Sequence, residues 1–382
     1  MILFLKRLLD TNKAFVDASL DLYKKGLILP DSYCIDVDMF LENAKNILNE
    51  AKKYNINLFY MLKQVGRNPY LAKKLEDLGY KGAVCVDFKE VEVMMKNNLK
   101  LCNIGHLVQI PKNMLSRVIE YGVEIITVYS YDMIKEISNI ALSLNKTQDI
   151  MLRILDENSE IYPGQEAGFS VNEVKELIPK LKDLKGVKLN GITSFPCFLY
   201  SPDEKCIKET NNLFSVLEVN EFLKNQNLYV KHINLPSVST VENIKKIYSY
   251  GGTDAEPGHA LTGTTPLNID SGIEIPAYLY ISEISHVFKN NSYFYGGGYY
   301  PRGHMKHGYI DNEIVNVNNF NATNIDYYLS LEGKYNIFDP IILCFRTQMF
   351  VTRSDIVLIE GIHSNNIHIV GIYNTQGDKK NV

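Results

Sequence analysis

The chain lacks a strong charge of either sign. Its 382 residues carry 40 Lys and Arg against 44 Asp and Glu, a formal net charge of -4. Neither nucleic acid nor an anionic membrane surface is therefore implied as a partner. Cysteine is sparse: Cys34, Cys85, Cys102, Cys197, Cys206 and Cys344 form no CxxC pair. That excludes a small disulfide framework and predicts reduced thiols. No stretch reaches the apolar length of a membrane span. The opening Met1-Ile-Leu-Phe-Leu-Lys6 is too short for a signal peptide and precedes no small-residue cleavage site. These absences lead us to expect a cytoplasmic protein. No GxGxxG follows a first strand, which counts against a dinucleotide-binding sheet. Short-period repeats and low-complexity regions are missing. His304 and His307 lie close together, but no carboxylate or cysteine completes a recognisable metal-ligand spacing, so solvated or interface histidines are expected.

What is present is an ordinary globular composition, 46% apolar and 22% charged, long enough for two domains with their own cores. Residues 1–30 read as mostly helical, and a helical pattern runs from about Met39 to Tyr54. From Asn57 a rhythm of short apolar strand and amphipathic helix begins. Strands are predicted at 57–63, 82–86, 101–104, 123–128, 149–155, 188–195, 229–235 and 249–255. Helices between them include 68–78, 87–97, 131–145, 170–183 and 204–225. About eight strand–helix units predict a (β/α)₈ barrel, with a doubly wound open sheet as the alternative. After Pro266 the helical period disappears. Residues 272–289, 291–295, 308–316, 339–351, 355–361 and 366–373 read as strands of an all-β domain. We therefore expect a barrel over 32–266 and a β domain over 267–382, joined by part of 1–31, with Gln376 to Val382 a frayed polar end.

The stretch Asn57-Leu-Phe-Tyr-Met-Leu-Lys63 ends a predicted strand in an amine. Alternation puts Phe59, Met61 and Lys63 on one face. Desolvation favours a neutral amine, which can attack an aldehyde. The plainer alternative is a strand-end lysine whose ammonium reaches water. Barrels carry their working groups at the carboxyl ends of strands, and those ends here hold Lys63, His106, Tyr129, Arg153 to Asp156, Ser194 to Cys197, Ser237, and Glu256 to His259. Ser237 to Thr240 could cap a helix whose start attracts phosphate, and Gly258 would let backbone approach a ligand. An ordinary cap and a helix-start glutamate at Glu256 are the alternatives. An amine at the first strand and a phosphate cradle at the last two suggest pyridoxal 5′-phosphate, with Glu256 facing its pyridine nitrogen.

These residues resemble the fold-type III pyridoxal-phosphate enzymes, specifically the YhfX-like group with an alanine-racemase-type barrel, over nearly the whole chain. Ile35-Asp-Val-Asp38 before a helix and then Lys63 are similar to the family's opening, which implies Lys63 as the cofactor-anchoring lysine. Ala255-Glu-Pro-Gly-His-Ala-Leu-Thr-Gly263 looks like the xRPGIALYG segment that holds phosphate, implying Gly258 and His259. Pro236-Ser237 falls at the family's phosphate-binding Asn-Ser. Tyr295-Gly-Gly-Gly-Tyr-Tyr-Pro-Arg302 resembles YADGYPR, which implies Tyr295 as a second acid/base presented by a partner subunit and hence a homodimer. Cys344-Phe-Arg-Thr-Gln-Met349 and Asp355-Ile-Val-Leu-Ile-Glu-Gly361 resemble later segments. There are departures. Glu256 replaces the arginine that meets the pyridine nitrogen, as in the EPG motif of barrel-type decarboxylases. Glu166 stands for the substrate-carboxylate arginine, Ser194 for a ring-contacting histidine, and Arg67 for a phosphate-binding tyrosine. Tyr373 aligns with a phosphate hydroxyl.

The expectation is an enzyme acting at the α-carbon of an amino acid, a racemase or epimerase using Lys63 and Tyr295. The alternatives are a decarboxylase or eliminase, with Cys344 as proton donor or simply a buried thiol, and a non-catalytic pyridoxal-phosphate-binding protein.

Overall fold

The computed structural model describes residues 4–270, 272–321, 323–364 and 366–381. Expectations for Met1–Leu3 and Val382 lie outside them. The chain forms two compact units that interleave along the sequence. One comprises Ile47–Met61 and Ala72–Gly258, the other Met1–Asn46, Leu62–Leu71 and His259–Val382.

A strand β1 (Ser32–Asp36) precedes the first unit's strands. That unit is a closed barrel of β2 (Asn57–Tyr60), β3 (Gly82–Val84), β4 (Leu101–Ile104), β5 (Ile125–Val128), β6 (Gln148–Arg153) and β7 (Val187–Thr193), completed, after the hairpin β8 (Phe198–Ser201) and β9 (Cys206–Glu209), by β10 (His232–Asn234) and β11 (Asp254–Ala255). Its eight strands are parallel. They are short and apolar because helices cover their outer faces while side chains fill the interior, so both faces are buried. The expected barrel is the observed one, and the open sheet is excluded.

Strand alternation stacks the interior in layers. His232 and Asn234 are two apart, as are Asp254 and Glu256. The lower pair forms a buried charged floor. His232 Nδ1 lies 3.0 Å from Asp254 Oδ2, and Nε2 lies 3.4 Å from Glu124 Oε1. Burial alone would pull the imidazole pKa down, but hydrogen bonds to Asp254 and Glu124 outweigh it and hold the group at about 9. Its hydrogen bond to Glu124 leads the causes that pull that carboxyl down to about 2. A histidine whose folded pKa is raised stabilises fully below its unfolded value near 6.5 and loses that contribution as pH rises through 9. The melting temperature should therefore fall between pH 6.5 and 9, by about 2–4 °C for each kcal/mol lost. In His232→Gln the same interval should be flat. A parallel decline in both proteins would remove His232 as the cause.

The second unit is built on a nine-stranded sheet among the described residues: β12 (Tyr278–Phe288), β13 (Asn291–Tyr295), β14 (His307–Ile310), β15 (Glu313–Asn316), β16 (Tyr328–Glu332), β17 (Pro340–Leu343), β18 (Asp355–Glu360) and β19 (His368–Asn374), with β1 in its middle. β1 pairs antiparallel with β12 and parallel with β18. The helices Phe4–Thr11 and Lys13–Lys24 place Phe4, Leu5, Leu8, Phe15, Val16 and Leu22 against Cys34, Leu279, Ile281, Ile342, Val357 and Ile359. Each fully buried side chain of this kind contributes roughly 1.5–3 kcal/mol.

Three local expectations are corrected. The helix predicted from 204 begins only at Asn211, because Cys206–Glu209 pairs with Phe198–Ser201. The strand predicted over 249–255 is confined to Asp254–Ala255, because Gly251 takes a positive φ in the preceding turn. The C-terminal tail is not frayed through Lys380. The Lys380 N–H donates to Ile372 O, and its Nζ bonds both oxygens of Asp355 at 2.6 and 2.8 Å.

Candidate active site

In the barrel unit, polar groups gather where strands end. Glu256 follows β11 and is 7% exposed. Its Oε1 accepts from Asn234 Nδ2 at 2.7 Å and from Asn103 Nδ2 at 3.1 Å. Asn103 in turn accepts from Thr127 Oγ1 at 2.7 Å, and the Glu256 N–H donates to Ser239 Oγ at 3.1 Å. Asn103, Asn234 and Thr127 are fully buried. Two amide donors on one oxygen hold the carboxylate in place. Asn103, Asn234 and Thr127 carry no signal in the sequence, since each is a neutral polar residue inside a short strand.

Gly258 is buried just beyond, after Pro257, whose carbonyl accepts from Met61 N at 3.1 Å. That bond ties the carboxyl ends of neighbouring strands β2 and β11. The chain runs two residues on from each partner to Lys63 and to His259.

Lys63 is not in the strand as predicted. β2 ends at Tyr60, and Lys63 opens a short 3₁₀ turn to Val65. Phe59 and Met61 do share a face, clustering with Val84 and Cys102, but the chain turns before Lys63. The turn closes on Gly66 with φ +62, where a Cβ would stand 2.2 Å from Ile356 Cδ1 and 3.1 Å from the Thr375 backbone. Only glycine allows that approach. Lys63 is 9% exposed. In the same unit, His259 Nδ1 meets Thr264 Oγ1 at 3.2 Å, and its Nε2 is sealed with no protein partner among the described residues. Burial, then the positive charges of Arg346 and Lys63, push the His259 pKa well down, so the imidazole is neutral. Two cations around a neutral imidazole with an open ring nitrogen form a setting for an anion. Arg346 was not singled out from sequence, because a strand-end arginine is common.

Arg67 is buried with φ +56. Its Nη1 donates to Gln376 Oε1 at 2.6 Å, and the guanidinium lies 4.8 Å from the centroid of the Phe350 ring. Tyr373 pairs with Ile356 across β18 and β19, so both side chains share the sheet face on which the Gly66 turn rests. Burial raises its phenol pKa.

Ser237 does not cap a helix. It has φ +91, followed by Val238 at +48, costly values for non-glycine residues. Its Oγ donates to Phe198 O and accepts from Phe198 N. The helix Val241–Ser249 starts instead after Thr240, which makes no side-chain cap bond. Ser194 Oγ is taken up by Ile154 O at 2.7 Å. Glu166 is exposed and accepts from Gly164 N. Cys344 is a buried thiol bonded to Tyr278 O, and burial pushes its pKa up.

Tyr295 ends β13. Its carbonyl accepts from Ser282 Oγ at 2.7 Å and Tyr280 Oη at 3.2 Å, and its ring lies 5.9 Å from that of Tyr328. With Pro30, Asp31, Tyr327, Tyr328 and Arg353 it lines a cavity of about 430 Å³.

The profile described as alanine racemase, N-terminal domain, matches residues 35–266, and that described as YhfX-like, C-terminal domain, matches 279–369. The chain is 40% identical to the uncharacterized protein YhfX of Escherichia coli K12 over 383 residues, covering 98% of this chain and 99% of that protein. Among solved structures it is similar to a Clostridium difficile 630 alanine racemase in complex with cycloserine, with TM-score 0.68, 19% identity and coverage of 91% and 99%. It is also similar to a Helicobacter pylori diaminopimelate decarboxylase complexed with L-lysine, with TM-score 0.67, 14% identity and coverage of 95% and 97%.

Proposed function

Because this chain belongs to the YhfX-like proteins with an alanine-racemase N-terminal domain, a fold-type III family that binds pyridoxal phosphate, we propose that it is a cytoplasmic, homodimeric amino acid racemase or epimerase. The observation that carries the reading is a buried lysine three residues beyond a barrel strand, sharing its unit with Arg346 and a neutral His259. The residues fit the cofactor. In one unit Lys63 offers the amine that an aldehyde needs, and the sealed His259 Nε2 has no protein partner among the described residues; in the other unit Glu256 offers a fixed carboxylate of the kind a protonated ring nitrogen takes. Gly258, Ser237, Arg67 and Tyr373 are the remaining candidates to hold it. No helix among the described residues is long and apolar enough to cross a membrane.

Bound pyridoxal phosphate supplies an aldehyde for the substrate amine and a ring that draws electrons from the α-carbon. Lys63 Nζ would take or return the α-proton on one face, and the partner subunit's Tyr295 would do so on the other. Each group contributes on the order of 10²–10⁴-fold. Glu256 would hold a proton on the ring nitrogen. Its two asparagine bonds also favour the second reading, a decarboxylase or eliminase, since such a fixed charge assists any loss from the α-carbon.

The test begins with the absorption spectrum, borohydride reduction and mapping of the tagged lysine, followed by α-hydrogen exchange in deuterated water over an amino acid panel. A tag on Lys63 with exchange is expected, and exchange without carbon dioxide or keto acid separates racemisation from its rivals. A tag without exchange would leave a binding protein. In Tyr295→Phe, one direction of exchange should suffer more than the other, and equal loss would count against two bases.

A further inference from the structure

Three glycines follow Tyr295, and the space around two of them is already taken. A Cβ on Gly297, which has φ +127, would stand 2.1 Å from Asp31 Oδ2, and one on Gly298 would stand 2.4 Å from Tyr280 Cε2. The backbone just beyond Tyr295 therefore lies directly on a carboxylate and on the ring beside it, an approach that only glycine permits. Asp31, Tyr280 and Tyr295 all belong to the β-domain unit. Asp31 is half-buried immediately before β1. Its Oδ1 accepts from Tyr280 Oη at 2.9 Å and from Ser354 Oγ. Tyr280 Oη also lies 3.2 Å from the carbonyl oxygen of Tyr295. A phenol has one proton to donate, so Asp31 and the Tyr295 carbonyl compete for it.

The charge on Asp31 decides that competition. An ionised carboxylate makes the stronger, charge-assisted bond and draws the phenol to itself. A protonated one accepts weakly, and the phenol turns to Tyr295, whose carbonyl then holds two hydroxyl donors, Tyr280 and Ser282. No ion pair fixes the answer. Among the described residues no cation lies within ion-pair distance of Asp31: Arg353 is paired with Asp326 at 3.3 Å, and the neighbouring Asp355 with Lys380 at 2.6 Å. Burial raises the Asp31 pKa to about 6. Hydrogen bonds from Ser354 and Tyr280 and the charge of Arg353 pull it back, while Asp355 adds to the rise. The phenols of Tyr33 and Tyr280 feel the same carboxylate, and burial drives both far above their ordinary value, so neither ionises in that range. Tyr295, Tyr327 and Tyr328 complete the groups around the cavity that Asp31 lines.

We infer that Asp31 is a positioning residue for Tyr295, its ionised carboxylate fixing the segment that presents the Tyr295 side chain through the shared Tyr280 hydroxyl. The consequence for exchange rests on the proposed acid/base role of Tyr295; the coupling between the two residues does not. With Asp31 neutral, the Tyr295 carbonyl is drawn toward Tyr280 and the ring moves with its backbone. Exchange should accordingly rise with pH through about 6, as Asp31 ionises.

The experiment titrates protein carrying isotope-labelled tyrosine by NMR from about pH 4 to pH 8, the Tyr295 signal being the one missing from Tyr295→Phe. In wild type that signal is expected to move with a midpoint near 6. In Asp31→Asn, which keeps the shape and stays neutral, the movement should vanish. It should vanish too in Tyr280→Phe, which keeps the carboxylate and removes the shared proton. In cofactor-loaded protein with a verified Lys63 tag, the panel amino acid that wild type exchanges fastest is then followed. Asp31→Asn should exchange it more slowly at about pH 8, by on the order of tenfold to a hundredfold, with KM little changed and without the rise through pH 6 that wild type shows. Tyr295 movement as described, in protein that exchanges no amino acid, supports the coupling and indicts the racemase reading alone. A Tyr295 signal that stays still in wild type, a midpoint that survives in Asp31→Asn or Tyr280→Phe, or equal exchange in Asp31→Asn and wild type overturns the proposal. Should Asp31→Asn not fold, wild type against Tyr280→Phe decides by the same movement, present in the first and lost in the second.

Discussion

Replacing Lys63 with methionine is expected to abolish the borohydride-fixed cofactor tag and lower α-hydrogen exchange by on the order of 10²–10⁴-fold or more. On the proposed reading, loss of the nucleophile and loss of one acid/base coincide in this residue. The fold should survive. Lys63 sits in a 3₁₀ turn whose geometry is set by Gly66 against Ile356 and Thr375, and methionine has a similar length and an apolar stem. Removing the amine also removes one of the two positive charges that hold His259 down. The pKa of His259 should therefore rise toward its ordinary value in the variant, which histidine NMR titration would read without any cofactor present. Burial is the first cause of the depression, so the return should be partial. A tag that persists in Lys63→Met would place the anchor on another lysine. A His259 titration unmoved by the substitution would separate the two residues electrostatically.

The barrel was legible in the sequence because its strands are apolar, short and punctuated, so each of the eight registers locally. Lys63 was legible as a candidate but not as placed. Alternation carried past Tyr60, whereas the chain turns there to meet Ile356 and Thr375, residues some 300 positions away. β1 looked like a lead-in to a helix. Its identity as a central strand depends on Ile281 and Asp355, which no local window contains. Ser237 failed for the same reason: residue type suggested a cap, and a long-range bond to Phe198 took the hydroxyl instead. The 204–225 segment is rich in good helix formers, which concealed the Cys206–Glu209 strand until Phe198–Ser201 paired with it. Asn103 and Asn234 could not be read at all. An asparagine in a strand acquires meaning only when barrel closure brings the Glu256 carboxylate to it.

Glu256→Gln should separate the stability of that network from its charge. Glutamine keeps the shape, and its amide oxygen can still accept from both Asn103 and Asn234, as Glu256 Oε1 does. The bonds change from charge-assisted to neutral, a difference of about 1–1.5 kcal/mol per bond. Unfolding free energy should therefore fall by about 1–3 kcal/mol, measured by denaturant titration, and the barrel should remain folded. The functional loss should be much larger. A neutral amide cannot hold a proton on a ring nitrogen as a carboxylate does, so exchange at the α-carbon should drop on the order of 10²–10⁴-fold while the Lys63 tag still forms. On the proposed reading the cofactor absorption band should shift in the variant, because the ring would lose its charged neighbour. Glu256→Arg would behave differently. It would set a guanidinium against two amide N–H groups already oriented to donate, so donors would face donors inside the barrel, and the expected result is loss of the folded barrel. If Glu256→Gln retained full exchange with an unchanged spectrum, the carboxylate would be a structural anchor for Asn103 and Asn234. The ring nitrogen would then have to be met by another residue.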